Sequence, residues 1–264
     1  MAFPVTVRGG WQSLLPHRIR EMAGKSEADS PLVFFPHIPK AGGQTLIQGF
    51  YEAFGAEKCI KVWDPNFGAD IDPAEFRNLS PDRFKGMSAV VGHLPVENFF
   101  ENAYARGRFD SGRVRILTSV RHPIQRIISL YNYIAHSEQH PSHEEVRNIS
   151  PVDFLLSQPA DFQYHFLRWG DVATPEALFG AMEIFPIEQS IAGFSGFFDD
   201  TFGIHLGNLE IINKSEDLVD IGGILSDRDI PAGVMDDLAD THHTDLELYQ
   251  KAWDISAEQS AADS

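Results

Sequence analysis

The sequence predicts an α/β protein built as a single domain, with a central parallel sheet flanked by helices. Short apolar runs alternate along the first half of the chain with segments whose apolar residues have helical spacing. Such alternation indicates a parallel sheet with crossover helices. The chain has 264 residues, 43% of them hydrophobic, which is enough to bury the core of one large domain. We expect an N-terminal segment (1–30), the domain (31–255) and a disordered tail (256–264).

The elements of the first half follow from apolar runs and their boundaries. The run "PLVFFPHI" (31–38) is too short for a helix and is bounded by prolines, which indicates a buried strand. The segment "QTLIQGFYEAFG" (44–55) has helical spacing and ends on a glycine, which is typical of a helix terminus. We also expect strands in "KCIKVWD" (58–64), "SAVVGHL" (88–94) and "RVRILTSVR" (113–121), and a helix in "IQRIISLYNYIAH" (124–136).

The second half is predicted to be mostly helical. We expect helices around residues 151–158, 174–184, 189–202 and 231–254, with one late strand in "LEIINKS" (209–215). The polar stretch 136–150 is predicted to be a long loop. Because long loops are uncommon in compact domains and often border a site, we expect this one near the functional residues.

Charge and cysteine content exclude several classes of protein. A formal net charge of −17 argues against a broad nucleic-acid-binding surface, which needs a basic footprint. The single cysteine, Cys59, excludes intramolecular disulfides and multi-cysteine zinc sites and fits a reducing compartment. No window approaches the ~20 apolar residues that cross a bilayer, and the first residues do not resemble a secretory signal. We therefore expect a soluble, cytoplasmic protein without a membrane span or a nucleic-acid partner.

The junction "FFPHIPKAGGQT" (34–45) is a candidate phosphate- or sulfate-binding loop. A strand that ends before a helix presents backbone N–H groups at the positive end of the helix dipole. Lys40 could supply a point charge, Thr45 a hydroxyl, and two glycines a close approach of the backbone. The lysine precedes the glycines, so this is not a Walker A box. An ordinary turn with a solvated lysine explains the same residues equally well.

The segment "SVRHPIQRIISLY" (119–131) is a second, independent feature. Arg121 stands at the expected carboxyl end of a strand, where ligands of open α/β sheets bind. Ser129 lies two turns into the following helix, so a guanidinium fork and a hydroxyl could share one phosphate. The alternative is structural: Arg121 pairs with a carboxylate and Ser129 packs as a small buried residue.

Together the two segments resemble those of sulfotransferases that use 3′-phosphoadenosine 5′-phosphosulfate (PAPS), nearest to the carbohydrate branch of heparan and uronosyl 2-O-sulfotransferases. That family has a loop "F-x-H-I-P-K-T-G-G-[ST]-[ST]", here "FFPHIPKAGGQT", and a segment "R-x-P-x-x-R-x-x-S-x-Y", here "RHPIQRIISLY". "VVGHLPV" (90–96) and "FPIEQSIAGFSGFF" (185–198) resemble later family segments. The resemblance runs from about residue 32 to about residue 253 and implies the P-loop-like sulfotransferase fold.

The resemblance also implies roles for individual residues. The 5′-phosphosulfate would be bound by the loop residues Lys40, Ala41, Gly42, Gly43, Gln44 and Thr45, and the 3′-phosphate by Arg121 and Ser129. Lys40 would also neutralise charge on the leaving phosphate. Ala41 and Gln44 stand where the family has hydroxyl residues, so two of its contacts are lost or replaced. PAPS is implied as co-substrate, with no metal.

Two histidines border the loop. His93 is either a general base, a role that the ordinary pKa of histidine suits, or a structural histidine; the resemblance implies the base. His37 is expected to pack against the loop.

The implied acceptor is a hydroxyl of a carbohydrate, a glycan or a small molecule, and Arg106, Arg108 and Arg168 are candidates for a basic cleft that would admit an anionic one. Two other interpretations stay open. A nucleotide kinase or NTPase with a variant loop would need Mg²⁺ and an acidic ligand, for which Asp64 is the candidate. A non-catalytic binding protein of the same fold would need neither.

Overall fold

The structure, a computed structural model, describes residues 31–62, 71–206, 209 and 224–262. The predicted N-terminal segment (1–30), the candidate metal ligand Asp64, and all of the predicted strand 209–215 except Leu209 lie outside the described residues.

Five parallel strands of the described chain form one sheet in the order β2-β3-β1-β4-β5. Their bounds are β1 Leu32–Pro36, β2 Cys59–Val62, β3 Ala89–Gly92, β4 Val114–Val120 and β5 Glu183–Pro186. The central strand β1 lies between β3 and β4, with Pro36 beside Gly92 and Leu32 beside Val114. Because all neighbours are parallel, every strand ends at the same edge, which we call the carboxyl edge. The predicted α/β class with a central parallel sheet is confirmed.

Helices occupy the connections between the strands and most of the second half of the described chain. The α-helices are α1 Gly43–Phe54, α2 Pro73–Phe76, α3 Val96–Glu101, α4 Ala103–Asp110, α5 Pro123–His136, α6 His143–Arg147, α7 Pro151–Leu156, α8 Phe162–Leu167, α9 Pro175–Phe179, α10 Ser190–Phe202, α11 Ala232–Thr241 and α12 His243–Ala262. None of the helices in the described ranges is long and apolar enough to cross a membrane.

The sheet is buried on both faces, which explains why β1 reads as a continuous apolar run. Leu32 and Phe34 belong to one hydrophobic core, and Phe34 stacks on Phe99 of α3 with ring centroids 4.0 Å apart. Val33 and Phe35 face the opposite core, where Phe35 lies 5.4 Å from the ring of Phe50 in α1. Alternate side chains of one strand therefore fix helices on both sides of the sheet.

The structure corrects the predicted helix at 174–184. This stretch is the short helix α9 followed by the strand β5. Met182 and Ile184 are buried in one core and Phe185 in the other, which is the two-residue period of a strand. With only four residues, β5 is too short for its alternation to stand out from the preceding helical pattern.

Three further boundaries differ from the predictions. The polar stretch 136–150 is not all loop, because it contains α6. The helix predicted at 231–254 is two helices that meet at His242. The second of these, α12, continues to Ala262, so residues 256–262 are helical where a disordered tail was expected.

Gly92, the last residue of β3, lies very close to the backbone of β2. Its φ is 135°, and a Cβ added there would lie 1.7 Å from the carbonyl oxygen of Val62 in β2. Gly92→Ala should therefore lower the free energy of unfolding by about 3 kcal/mol or more. Urea denaturation followed by circular dichroism measures this change.

Gly107 of α4 supplies the control. Apart from its chain neighbours and the backbone of its own helix, no described atom lies within 4 Å of its Cβ position, so Gly107→Ala should stabilise the helix by about 0.5–1 kcal/mol. Equal unfolding free energies for the two variants would contradict the close approach of β2 to Gly92.

Candidate functional site

Three segments predicted to carry the function meet at the carboxyl edge. The loop 37–42, which we call the anion loop, follows β1; His93 follows β3; and Arg121 follows β4. The three strands are neighbours in the sheet. The ring of His93 lies 4.7 Å from that of His37 in the anion loop, and Arg121 Nη1 donates a hydrogen bond to the Lys40 carbonyl oxygen at 3.3 Å. Residues far apart in the sequence thus share one small region.

Polar side chains at the end of β4 hold the anion loop in place. Three carbonyl groups in and next to the loop accept side-chain hydrogen bonds: Pro36 from Thr118 Oγ1 at 2.8 Å, Ala41 from Ser119 Oγ at 2.6 Å, and Lys40 from Arg121. Both hydroxyl residues are buried. Sequence reasoning missed Thr118 and Ser119, although two hydroxyl residues inside an otherwise apolar strand are a usable signal, since buried polar groups need partners.

The backbone of the anion loop takes an uncommon course. Lys40 and Gly42 have φ angles of 69° and 80°, both in the left-handed region. For a lysine this conformation costs on the order of 1 kcal/mol or more, and residues in such conformations cluster at active sites, ligand-binding segments and switch regions. Gly42 occupies the N-cap position of α1 and, having no side chain, makes no capping hydrogen bond to the first N–H groups of the helix. The start of α1 is therefore suited to an anion.

The ring of His37 explains why Gly43 has no side chain. A Cβ on Gly43 would lie 1.8 Å from Cδ2 of His37. Burial lowers the pKa of His37 well below its usual value, and electrostatic interactions with His93 and Lys40 lower it further. His37 is thus neutral at pH 7 and fills the space beneath the helix start.

Two cations face the carboxyl edge without full solvation. Burial first, and then the charge of Arg121, lowers the pKa of Lys40 to about 8. Burial also lowers the pKa of Arg121, while the charges of Glu188 and Tyr249 oppose that shift. The Lys40 ammonium lies 4.1 Å from the centroid of the Tyr133 ring, a cation–π contact. An anion bound between these cations would stabilise both charges.

The other predicted site residues lie in the anion loop, in the first turn of α1 and in α5. Ala41 and Thr45 are buried, whereas Gln44 is exposed on the first turn of α1. Ser129 is buried on α5. Arg126, on the same helix, points into the protein, where its guanidinium lies 4.6 Å from the ring of Phe162. Of the two arginines, Arg121 is therefore the one whose guanidinium lies at the carboxyl edge.

A group of side chains that the predictions did not include lies beside Arg121. The Tyr249 hydroxyl of α12 donates to the Glu188 carboxylate, and burial together with Glu188 raises the pKa of Tyr249 to about 12. The Tyr249 ring lies 5.6 Å from that of His122, the residue before α5. Glu188 lies in a segment that the family resemblance had already marked, but Tyr249 carries no sequence signal.

Of the candidate cleft residues Arg106, Arg108 and Arg168, the structure places Arg108 away from the anion loop. The Arg108 carbonyl accepts from Arg113 N–H at 2.8 Å, and the Arg113 carbonyl accepts from the N–H of Leu32, the first residue of β1, at 2.9 Å. Arg108 therefore lies at the amino edge of the sheet, opposite the anion loop. The uneven spread of arginines along the sequence did not reveal which edge they occupy.

Comparisons with known proteins give matches among solved structures only. No family model matches the chain, and no curated protein matches it. Among solved structures, mouse sulfotransferase SULT7A1 complexed with PAP is 12% identical, covers 89% of this chain and 91% of its own, and gives a TM-score of 0.46. At that identity and TM-score, function has to be argued from the residues themselves.

Sulfate should bind this site more weakly as the pH rises through about 8, where Lys40 loses its charge. Sulfate itself keeps its charge over this range, and binding favours the protonated lysine, so the affinity must fall as the proton leaves. The rise in Tm caused by sulfate, relative to chloride at equal ionic strength, should be larger at about pH 7 than at about pH 9.

Lys40→Met provides the control, because methionine keeps an unbranched side chain in the same left-handed backbone. For this variant, the rise in Tm caused by sulfate should be small and equal at both pH values. Only the general effect of sulfate on protein surfaces then remains. A variant with the pH dependence of the wild type would show that another group titrates.

Proposed function

We propose that the protein is a PAPS-dependent sulfotransferase that moves the sulfuryl group to a hydroxyl of a carbohydrate or glycan acceptor. The meeting of Lys40 and Arg121 at the carboxyl edge carries this proposal, since 81 residues separate them in the sequence. PAPS has two anionic ends, the 5′-phosphosulfate and the 3′-phosphate. Two cations, each next to a motif that resembles the corresponding family segment, fit a ligand of that charge pattern.

The anion loop and the start of α1 suit the phosphosulfate end. Lys40 supplies a positive charge, and its left-handed backbone and that of Gly42 shape the turn into the helix. N–H groups in the first turn of a helix have no partners within the helix and point toward a bound anion. Gly43 lets the helix start lie against the ring of His37, because a side chain there would collide with that ring.

Arg121 suits the 3′-phosphate end. Its guanidinium hydrogen-bonds the Lys40 carbonyl with Nη1, and a guanidinium has further N–H donors in a planar fork that matches phosphate oxygens. Ser129, two turns into α5, is the proposed second contact. Burial has already removed part of the water from Arg121, which strengthens an electrostatic contact with a phosphate.

In sulfuryl transfer, as in phosphoryl transfer, the protein contributes mainly by positioning the reactants and stabilising the charge that develops on them. His93 accepts the proton of the acceptor hydroxyl as its oxygen bonds to sulfur and the bond from sulfur to the phosphate oxygen breaks. Lys40 neutralises the negative charge left on that phosphate. The backbone of His93 is fixed by a hydrogen bond from its N–H to the Val62 carbonyl at 2.8 Å, and its ring is half-buried beside neutral His37.

The charge distribution favours an acceptor without many negative charges. The net charge is −17, and Arg108 lies at the amino edge rather than near the anion loop. A long polyanionic glycan would be repelled by this surface. We therefore favour a neutral or weakly charged sugar hydroxyl over a heparan-like chain.

The test has a binding arm and a turnover arm. Adenosine 3′,5′-bisphosphate (PAP) should raise the Tm of the wild type by mass action. His93→Ala should keep that rise but lose about 10²–10⁴-fold in sulfuryl transfer from labelled PAPS, the usual worth of a general base. Lys40→Ala and Arg121→Ala should weaken both binding and transfer, because each removes a charge that the ligand meets.

Each alternative interpretation predicts a different result. No rise in Tm at millimolar PAP would overturn the proposal. A requirement for Mg²⁺ and ATP would favour the nucleotide kinase or NTPase. PAP binding without transfer to any member of a panel of sugars, glycans and small alcohols would favour the non-catalytic binding protein.

A further inference from the structure

We propose that Gln163 and Asp245 position Arg121, through a chain of hydrogen bonds that runs from α12 through α8 to the end of β4. This inference rests on the proposed function, in which Arg121 binds the 3′-phosphate. Neither residue lies in a motif that the sequence analysis marked, and both side chains are fully buried. The expected consequence is that the contribution of the 3′-phosphate to nucleotide affinity depends on α8 and α12.

The first link is a two-way clamp on the backbone of Arg121. Arg121 N–H donates to Gln163 Oε1 at 2.9 Å, and Gln163 Nε2 donates to the Arg121 carbonyl at 2.7 Å. Arg121 follows the last residue of β4, where the strand pairing with β5 has ended. The amide of Gln163 takes the place of a neighbouring strand, and two opposed hydrogen bonds fix the direction in which the Arg121 side chain leaves the backbone.

The second link holds Gln163 itself. Both carboxylate oxygens of Asp245 accept backbone hydrogen bonds at the start of α8, Oδ2 from Gln163 N–H at 3.0 Å and Oδ1 from Tyr164 N–H at 2.7 Å. A carboxylate that accepts from the first N–H groups of a helix fixes its start. Asp245 therefore sets where α8 begins, and with it the position of the Gln163 amide.

The third link anchors Asp245 to the segment that precedes α8. Asp245 N–H donates to Asp161 Oδ1 at 3.0 Å, and Asp161 N–H donates to His242 Nδ1 at 3.2 Å. The starts of α8 and α12 thus bind one another in both directions. Burial raises the pKa of Asp245, and the backbone hydrogen bonds from Tyr164 and Gln163, followed by the charge of the buried Arg126 guanidinium, oppose that shift.

A positioning residue and a structural residue can be distinguished by how their loss changes the affinities for two nucleotides, PAP and AMP. The nucleotide AMP has the 5′-phosphate of PAP but lacks its 3′-phosphate. Loss of a structural residue would weaken the binding of both nucleotides to the same extent, because a smaller fraction of the protein would have a correctly folded site. Loss of a residue that orients the Arg121 side chain would weaken the binding of PAP alone. A small displacement of the guanidinium removes most of the binding energy that it contributes at the 3′-phosphate.

Gln163→Met tests this distinction, because methionine keeps the length of the side chain and removes both clamp bonds. Calorimetry gives Kd for PAP and for AMP with the wild type and the variant. The wild type should prefer PAP, and Gln163→Met should lose about tenfold of that preference, the value of a hydrogen bond to a charged group, with AMP affinity unchanged. Asp245→Asn should act in the same direction, because one amide nitrogen then faces a backbone N–H.

Asn132 provides a control for Gln163, because its amide also makes two opposed hydrogen bonds to the backbone of one residue. Its Nδ2 donates to the Leu225 carbonyl at 2.8 Å, and its Oδ1 accepts from Leu225 N–H at 2.9 Å. It is buried like Gln163, but the residue that it clamps precedes the 3₁₀ turn Asp227–Asp229 and not the phosphate site. Asn132→Leu should lower Tm and leave the preference for PAP over AMP as in the wild type.

The outcomes separate this inference from the proposed function. If the wild type binds neither nucleotide, the proposed function fails. If the wild type binds both equally, the assignment of the 3′-phosphate to Arg121 fails, and this inference fails with it. If the wild type prefers PAP and Gln163→Met retains that preference, or loses AMP affinity to the same extent, Gln163 is a structural residue and the inference is overturned.

Discussion

The Arg121 guanidinium hydrogen-bonds the Lys40 carbonyl at the carboxyl edge, and the partial burial of these two cationic side chains is the constraint that the surrounding structure has to meet. Burial lowers the pKa of each, and the charge of Arg121 lowers that of Lys40 further. Such an arrangement destabilises the folded chain and persists only where neighbouring groups hold it. The ring of Tyr133 and the charge of Glu188 offset part of the cost. A bound dianion would offset more, which links the stability of this region to its ligand.

The groups that hold the two cations act mostly on backbone atoms. Thr118 and Ser119 bind carbonyl oxygens in and next to the anion loop, and Gln163 binds the N–H and carbonyl of Arg121. A carboxylate partner would also fix a cation, but it would neutralise the charge and compete with an incoming anion. Hydrogen bonds to the backbone fix position and leave the charge available. The uncharged amide of Gln163 is therefore better suited to this place than an aspartate or a glutamate.

The sequence predicted those parts of the fold and site that depend on strand ends. The residues after β1, β3 and β4 lie at one edge because parallel strands end together, so Lys40, His93 and Arg121 could be placed near one another from apolar runs alone. The strand β5 was missed because its four residues follow a helical pattern. Gln163 and Asp245 could not be predicted, since their partners lie 42 and 82 residues away and only the packing of α8 against α12 brings them together.

The two departures from the family pattern, Ala41 in the anion loop and Gln44 in α1, differ in kind. The Ala41 side chain is buried in the core beneath the sheet edge, and its carbonyl is already bound by Ser119. A hydroxyl in its place would need a partner in apolar surroundings, so alanine suits the packing of this particular loop. Gln44 is exposed on the first turn of α1. Of the two positions, Ala41 therefore belongs to the packing of the loop, whereas Gln44 lies on the solvent side of the helix start.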